Sequence, residues 1–187
     1  FAIAGVMSVQ YTYFSAIEAM YLVDMVPGWA KKDYDKPRLT PKPFMTDSGL
    51  MAHLLHIYSP DDILNNNEKS QNEGGKLVET WVYNQLVPEI DLHAPWNIHH
   101  FRSRRHEIDF LITNEKGHVL GIEVKAGESV ASDDFQHLHW MQELLGEDHF
   151  TGIILYSGNQ VRSGGRGCFA LPMAAMWSDF STWTPFD

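Results

Sequence analysis

Between residues 107 and 125 the chain reads EIDFLITNEKGHVLGIEVK, two stretches in which apolar side chains recur at every second position around a short polar turn. Alternation of period two specifies a β-hairpin, because successive strand side chains point to opposite faces. Ile108, Phe110 and Ile112 on the first strand, with Leu120, Ile122 and Val124 on the second, are expected to form the core face. The other face then carries Glu107, Asp109 and Leu111, followed by Val119, Gly121, Glu123 and Lys125.

The turn sets the register. A three-residue loop of Glu115, Lys116 and Gly117, with the glycine in the left-handed conformation such loops need, opposes Asn114 to His118 and Asp109 to Glu123. Directly opposed side chains have Cβ atoms ~5 Å apart, and like charges there destabilise a sheet. At that range two carboxylates repel by about 3 kcal/mol for an effective dielectric near ~20. Lys125 relieves part of this repulsion. A divalent cation would relieve all of it, and carboxylate oxygens are what magnesium prefers. Glu79 is a third acid, at the edge of the arc formed by Leu77, Val78, Trp81, Val82, Gln85 and Leu86 on a helix. It is either a solvated rim residue or a group directed across the sheet edge toward Asp109 and Glu123.

Around this hairpin the predicted elements alternate in type. A helix over 76–87, strands over 98–101, 107–113 and 119–125, a helix over 133–145 and a strand over 152–156 give the order α, β, β, β, α, β. Three strands joined by tight turns and a helical crossover to a fourth imply an α/β fold, a mixed sheet with helices on its faces. Upstream, 11–21 has helical spacing, YLVDMVPGW reads as a strand, and a second extended segment holds Pro37, Pro41 and Pro43, which suit an edge strand. A further helix starts near Met45–Gly49, with Asp47 or Ser48 as N-cap and Leu50, Leu54 and Leu55 on its apolar face. The polar run around NNNEKSQNEGG reads as a loop. The expected division is therefore 1–58 as an N-terminal segment, 59–72 as a linker and 73–187 as the main domain.

Charge enters where partners are concerned. The chain has 14 Lys plus Arg against 24 Asp plus Glu, a net charge of −10, which should repel a polyanion unless the cations are gathered. They are gathered. Lys31, Lys32, Lys36, Arg38 and Lys42 form one cluster, and Arg102, Arg104 and Arg105, flanked by His99, His100 and His106, form another. The histidines are poor candidates for a metal site, since strand neighbours point apart. The single Cys168 excludes a disulfide framework and a cysteine-based zinc site, and no apolar run approaches the ~20 residues that cross a bilayer. No membrane association is expected, and a reducing, cytoplasmic setting fits. Because the chain begins at Phe1, it is expected to be part of something longer.

An acid on the first helix, Asp109 on the second strand and Glu123-Val124-Lys125 on the third, in αβββαβ order, resemble the PD-(D/E)XK signature of the restriction-endonuclease-like fold. The segments YFSAIEAMYLVDMVPGW, PFMTDSGL, GKLVETWVYNQL, RSRRHEIDFLI, IEVKAG, GIILYSG and FALPMAAMW extend the likeness. Together they resemble the uncharacterised C-terminal domain found behind the P-loop module in a family of prokaryotic AAA+-like ATPases.

That resemblance implies a nuclease-like domain over 73–187, preceded by a winged-helix remnant. It implies Mg²⁺ or Mn²⁺ held by Asp109, Glu123 and the Val124 carbonyl, with Glu79 completing the shell directly or through water. Lys125 would orient the attacking water or stabilise charge on the phosphate, and Arg102, Arg104 and Arg105 would grip DNA phosphates. Lys31, Lys32, Lys36 and Arg38 would hold the duplex more remotely, with Gln136 a weaker contact. ATP would be bound only by an upstream module: no G-x-x-x-x-G-K-[ST] occurs here, and Gly74-Gly75-Lys76-Leu77 lacks the loop length and the hydroxyl residue. The glycine-rich 157–167 is expected as a loop between strands. Such domains often pair or form rings, so a homo-oligomer is open. The alternative to a Mg-dependent DNA phosphodiester hydrolase is a non-catalytic nucleic-acid- or protein-recognition module that targets or regulates the ATPase.

Overall fold

The structure, a computed structural model, describes residues 13–30, 37–64, 68–92 and 95–177. A helix over 13–19 (α1) leads into β1 (Val23–Val26), which pairs antiparallel with β2 (Lys42–Met45). Helices α2 (Ser48–Leu54), α3 (Pro60–Leu64) and α4 (Glu68–Leu92) follow. Strands β3 (Asn97–Arg102), β4 (Glu107–Thr113) and β5 (Val119–Lys125) come next. A 3₁₀ turn (Ser132–Phe135) runs into α5 (Gln136–Leu145), then come β6 (Phe150–Tyr156), β7 (Arg162–Gly165) and β8 (Cys168–Pro172). The expected αβββαβ order is that of α4 through β6.

The main sheet has the strand order β3-β4-β5-β6-β8-β7. Its β3, β4 and β5 are antiparallel, whereas β6 joins β5 in parallel after the α5 crossover. The hairpin turn is the expected one. Gly117 has φ 80, its N–H donates to Asn114 O at 3.1 Å, and Thr113 pairs with Val119.

Both faces of the sheet are buried, unlike the one-sided pattern expected of the hairpin. Leu111, Val119, Phe150 and Ile154 pack against Leu138 and Met141 of α5 on one face. Phe110, Ile112, Ile122 and Leu155 pack against Val82, Tyr83 and Ile90 of α4, with Val26 and Phe44 of the β1–β2 hairpin, on the other. The expected common face of Ile108, Phe110 and Ile112 is also broken, because Ile108 belongs to the α5 side. The cause is a bulge: β3 pairs His99 with Leu111 and then Phe101 with Ile108, so two residues of β3 span three of β4. The extra residue lies in the Asp109–Phe110 stretch, and bulges of this kind re-aim side chains.

The polar run of 59–72 is not a loop where it is described. Pro60–Leu64 is α3, and α4 is already helical from Glu68. A Cβ on Gly74 would sit 2.5 Å from Ile63 Cγ2, so that glycine lets α3 lie directly on α4. At its other end α4 runs through Pro88 to Leu92, because burial of Ile90 outweighs the lost backbone bond. Asp47 caps α2 as expected, accepting from the N–H groups of Gly49 at 2.7 Å and Leu50 at 3.0 Å. The apolar face expected of α2 is not buried: Leu54 is 60% exposed and Leu50 37%. Within the expected loop over 157–167, Arg162–Gly165 forms the edge strand β7.

The hairpin of β1 and β2 is clamped to α4 by matched periodicities. Alternate residues of a strand are ~6.6 Å apart, and positions four apart on a helix are ~6 Å apart. Lys42 and Phe44 therefore meet Glu79 and Tyr83 in turn. Phe44 stacks on Tyr83 with ring centroids 4.6 Å apart, and Tyr83 Oη donates to Asp24 Oδ2 at 3.0 Å. Asn84 donates to Met45 O at 2.9 Å and accepts from Ser48 N–H at 3.0 Å.

Candidate functional site

At the end of the sheet where β4 and β5 part, the ladder stops at the Phe110–Ile122 pair. The next residues on the two strands are Asp109 and Glu123, which the turn register was expected to oppose, and the paired ladder ends before them. The Val124 N–H donates to Asp109 Oδ2 at 2.9 Å instead of to a strand backbone. The other carboxylate oxygen, Oδ1, lies 3.6 Å from Lys42 Nζ, which also hydrogen-bonds Glu79 Oε1. Glu79 is thus directed inward, with a side chain only 13% exposed, and not solvated at the helix rim.

Lys125 lies beyond Glu123 on the same strand and ion-pairs with Asp134 Oδ1 at 2.5 Å. Asp134 belongs to the 3₁₀ turn before α5, and its Oδ2 accepts the Ala131 N–H at 2.9 Å. Burial works against the Asp134 charge, but the Lys125 and Ala131 hydrogen bonds hold its carboxyl below the usual range.

Two acids in this cluster are held protonated well above their ordinary range. Burial, and then the charge of Asp109, push Glu123 up to about 8, against the opposing effect of Lys125. Burial and Asp109 likewise raise Glu79 to about 7, although Lys42 works the other way. Burial tends to discharge Lys42, but the charges of Glu79 and Asp109 outweigh it and raise its pKa. The buried Glu123 Oε1 makes no hydrogen bond. Glu79, Asp109, Glu123 and Asp134 therefore share two ammonium groups, Lys42 and Lys125. Two negative charges are left over when all four ionise.

This donor set fits a divalent cation in its chemistry. It offers carboxylate oxygens, an orphaned oxygen on Glu123 and an excess charge of the right size, and magnesium commonly binds through one or two carboxylates plus water. It does not fit the expected three-acid shell. Among the described residues no three His, Cys, Asp or Glu side chains come together as one ion's ligands, and Glu79 is engaged by Lys42. Asp109 and Glu123, with water, are the pair that fits.

Arg38 of the first basic cluster and Arg102 of the second are drawn together from distant parts of the chain. Arg38 N–H donates to Arg102 O at 2.8 Å, so 37–42 runs beside the end of β3. Arg38, Arg104 and Arg105 are exposed, and Arg102, also exposed, pairs with Glu107 Oε2 at 3.3 Å. Lys31, Lys32 and Lys36 lie outside the described residues. Gln136, exposed, opens α5 two residues after Asp134. The histidines go separate ways. His100 Nε2 is 3.0 Å from Thr40 O, while His106 stacks on Trp140 and meets His137 Nδ1 at 3.2 Å.

Lys42 and Asp134 are the members that reading the sequence missed. Lys42 was legible only as one of a basic run, and its spacing from Phe44 was the available sign that it faces a helix. Asp134 stands nine residues from Lys125, across a turn that no periodicity describes.

A family model described as "Domain of unknown function (DUF4143)" matches residues 74–176, which include Glu79, Asp109, Glu123, Lys125 and Asp134. No curated protein gives a match to the chain. Among the described residues no helix is long and apolar enough to cross a membrane.

Proposed function

The chain belongs to the DUF4143 family, and we propose that its sheet-end cluster is the site of a Mg²⁺- or Mn²⁺-dependent phosphodiester hydrolase acting on DNA. The supporting observation is the buried Glu123 Oε1, which makes no hydrogen bond, beside Asp109, with Lys125 fixed next to them by Asp134. On this reading the core is restriction-endonuclease-like and α1 with the β1–β2 hairpin is a winged-helix remnant. The whole would be the C-terminal part of a cytoplasmic AAA+-type ATP-binding protein.

Asp109 and Glu123, joined by the Val124 carbonyl, would hold the cation. When bound, it supplies polarisation of the phosphate and an acidified water. The Val124 N–H bond restrains the Asp109 carboxylate before any substrate arrives, so little reorganisation is needed. The Asp134 carboxylate fixes the Lys125 ammonium where it can orient the nucleophile or meet negative charge growing on the phosphate oxygens. Arg102, Arg104 and Arg105, just before β4, and Arg38 beside them would contact flanking phosphates. Such contacts position the duplex without reading its sequence.

The meeting of Arg38 with Arg102 also favours a second reading: a non-catalytic module that binds nucleic acid or protein for an upstream ATPase. Incubating plasmid and branched DNA with Mn²⁺ separates the two. The hydrolase reading expects nicking that falls at least ~100-fold in Asp109→Ala and Lys125→Ala, in line with loss of a charge-stabilising group. Equal cleavage by both variants and the native chain would mean a contaminant. Binding of DNA with no cleavage at any metal concentration leaves the recognition module.

A further inference from the structure

Among the described residues, Lys42 and its partner Glu79 are charged groups at the site that the hydrolase reading does not use. Lys42 Nζ is bonded to Glu79 Oε1 and lies 3.6 Å from Asp109 Oδ1. We infer that Lys42 is a tethered counter-ion that contacts both Glu79 and Asp109 and excludes a divalent cation from their shared side. The cluster is left with room for one ion, on its Asp109–Glu123 side. This rests on the metal-site reading above and adds to it how many ions the site accepts.

Three features distinguish this contact from a surface ion pair. The partners are 37 residues apart in sequence, so no local helix geometry forces them together. Their side chains are 28% and 13% exposed, which limits competition from water. The strand that carries Lys42 is fixed on α4 at the next residue of the same face, where Phe44 stacks on Tyr83, and at its end, where Asn84 binds Met45 O. The ammonium is thus delivered by a clamped strand and not by a free arm.

Charge and geometry agree. Two-metal sites place ions ~3.5–4 Å apart, which needs a carboxylate that bridges them. Asp109 is the acid that stands between Glu79 and Glu123, and its Oδ1 faces an ammonium while its Oδ2 already takes the Val124 N–H. Each carboxylate oxygen has two acceptor positions: Oδ2 keeps one for a cation beside the Val124 N–H, whereas a cation on Oδ1 would share that oxygen with the Lys42 ammonium, so a second ion would have to displace Lys42.

Counting bound Mn²⁺ by the loss of the free-ion electron paramagnetic resonance signal tests this without reference to activity. The native chain should bind one ion. Lys42→Met, which keeps an unbranched side chain without the ammonium, should bind two, or one at least tenfold more tightly. Should that variant fail to fold because Glu79 is stranded, Lys42→Met with Glu79→Gln removes both charges and should bind one ion with undiminished affinity. A tenfold or greater loss in the double variant puts Glu79 in the ion's shell and overturns the inference. So does a native chain that binds two ions. One ion in both native and folded Lys42→Met at equal affinity overturns the counter-ion role and leaves the hydrolase reading standing. No ion in the native chain but one in Lys42→Met supports the counter-ion and sinks metal-dependent hydrolysis. No ion in either overturns both.

Discussion

The Val124 N–H donates to Asp109 Oδ2 at 2.9 Å, so a side chain terminates the β4–β5 ladder and is aimed by the bond it makes. This divides the role of Asp109 into an acceptor and a charge. Asp109→Asn keeps an acceptor and should melt within ~2 °C of the native chain, whereas Asp109→Ala strands the amide and should cost about 1–3 kcal/mol. Both should lose Mn²⁺ binding. An Asn variant that binds Mn²⁺ like the native chain would remove Asp109 from the metal site.

Raised carboxyl pKa values make the fold sensitive to alkali. Glu123 at about 8 and Glu79 at about 7 stay protonated in the fold when the unfolded chain has already released those protons. Their contribution is full below the ordinary glutamate range and is lost as pH rises through the folded values. Burial lowers the pKa of His99, His100 and His137, which weakens the fold on the acid side, so the acids are best read above their ordinary value of about 6.5. Between about pH 6.5 and 8 stability should fall by on the order of 2 kcal/mol. Melting curves should show that slope, and Glu123→Gln should flatten it; an unchanged slope would place the titration elsewhere. Added Mg²⁺ should stabilise more at pH 8 than at pH 6.5, because ligation needs the carboxylates ionised.

Tyr83→Phe keeps the stack on Phe44 and removes the hydroxyl that donates to Asp24 Oδ2. A cost of about 1 kcal/mol is expected, seen as a drop of ~2–4 °C in Tm for a chain of this size. Because the clamp also positions Lys42, Mn²⁺ affinity in this variant should shift in the same direction as in Lys42→Met, though less.

Gly121 leaves room for Phe150 of β6 and Leu138 of α5. A Cβ there would lie 2.6 Å from Phe150 Cζ and 3.1 Å from Leu138 Cδ2. Gly121→Ala should therefore lose about 1–3 kcal/mol by overpacking. Gly127→Ala, with nothing within 4 Å, should stay within ~0.5 kcal/mol. Urea denaturation of the pair checks the contrast, and equal costs would contradict the packing described.

For DNA, the arginines after β3 predict a salt response. Replacing Arg104 and Arg105 by Ala should lower the slope of log affinity against log salt by about two, and Gln136→Ala should leave it unchanged. Fluorescence anisotropy at several salt concentrations reads both. A slope unaffected by the arginine pair would move the nucleic-acid surface elsewhere.

Much of this architecture was legible from local signals. Alternation placed β4 and β5 at their observed bounds, the left-handed Gly117 set their register, and Asp47 marked the start of α2. Polarity misled at 59–72, since a helix that packs through Gly74 against Ile63 and exposes its other side need not look apolar. Period two misled at Ile108, because a bulge shifts the phase and leaves no mark in the pattern.

The sequence by itself determined which residues could build the site: local periodicity and turn chemistry bring Asp109 beside Glu123 within a single hairpin. Only the tertiary structure decided how their charges are met. Lys42 and Asp134 reach the cluster from a clamped strand and a 3₁₀ turn, and long-range packing, which no local pattern encodes, chooses the partner of each acid.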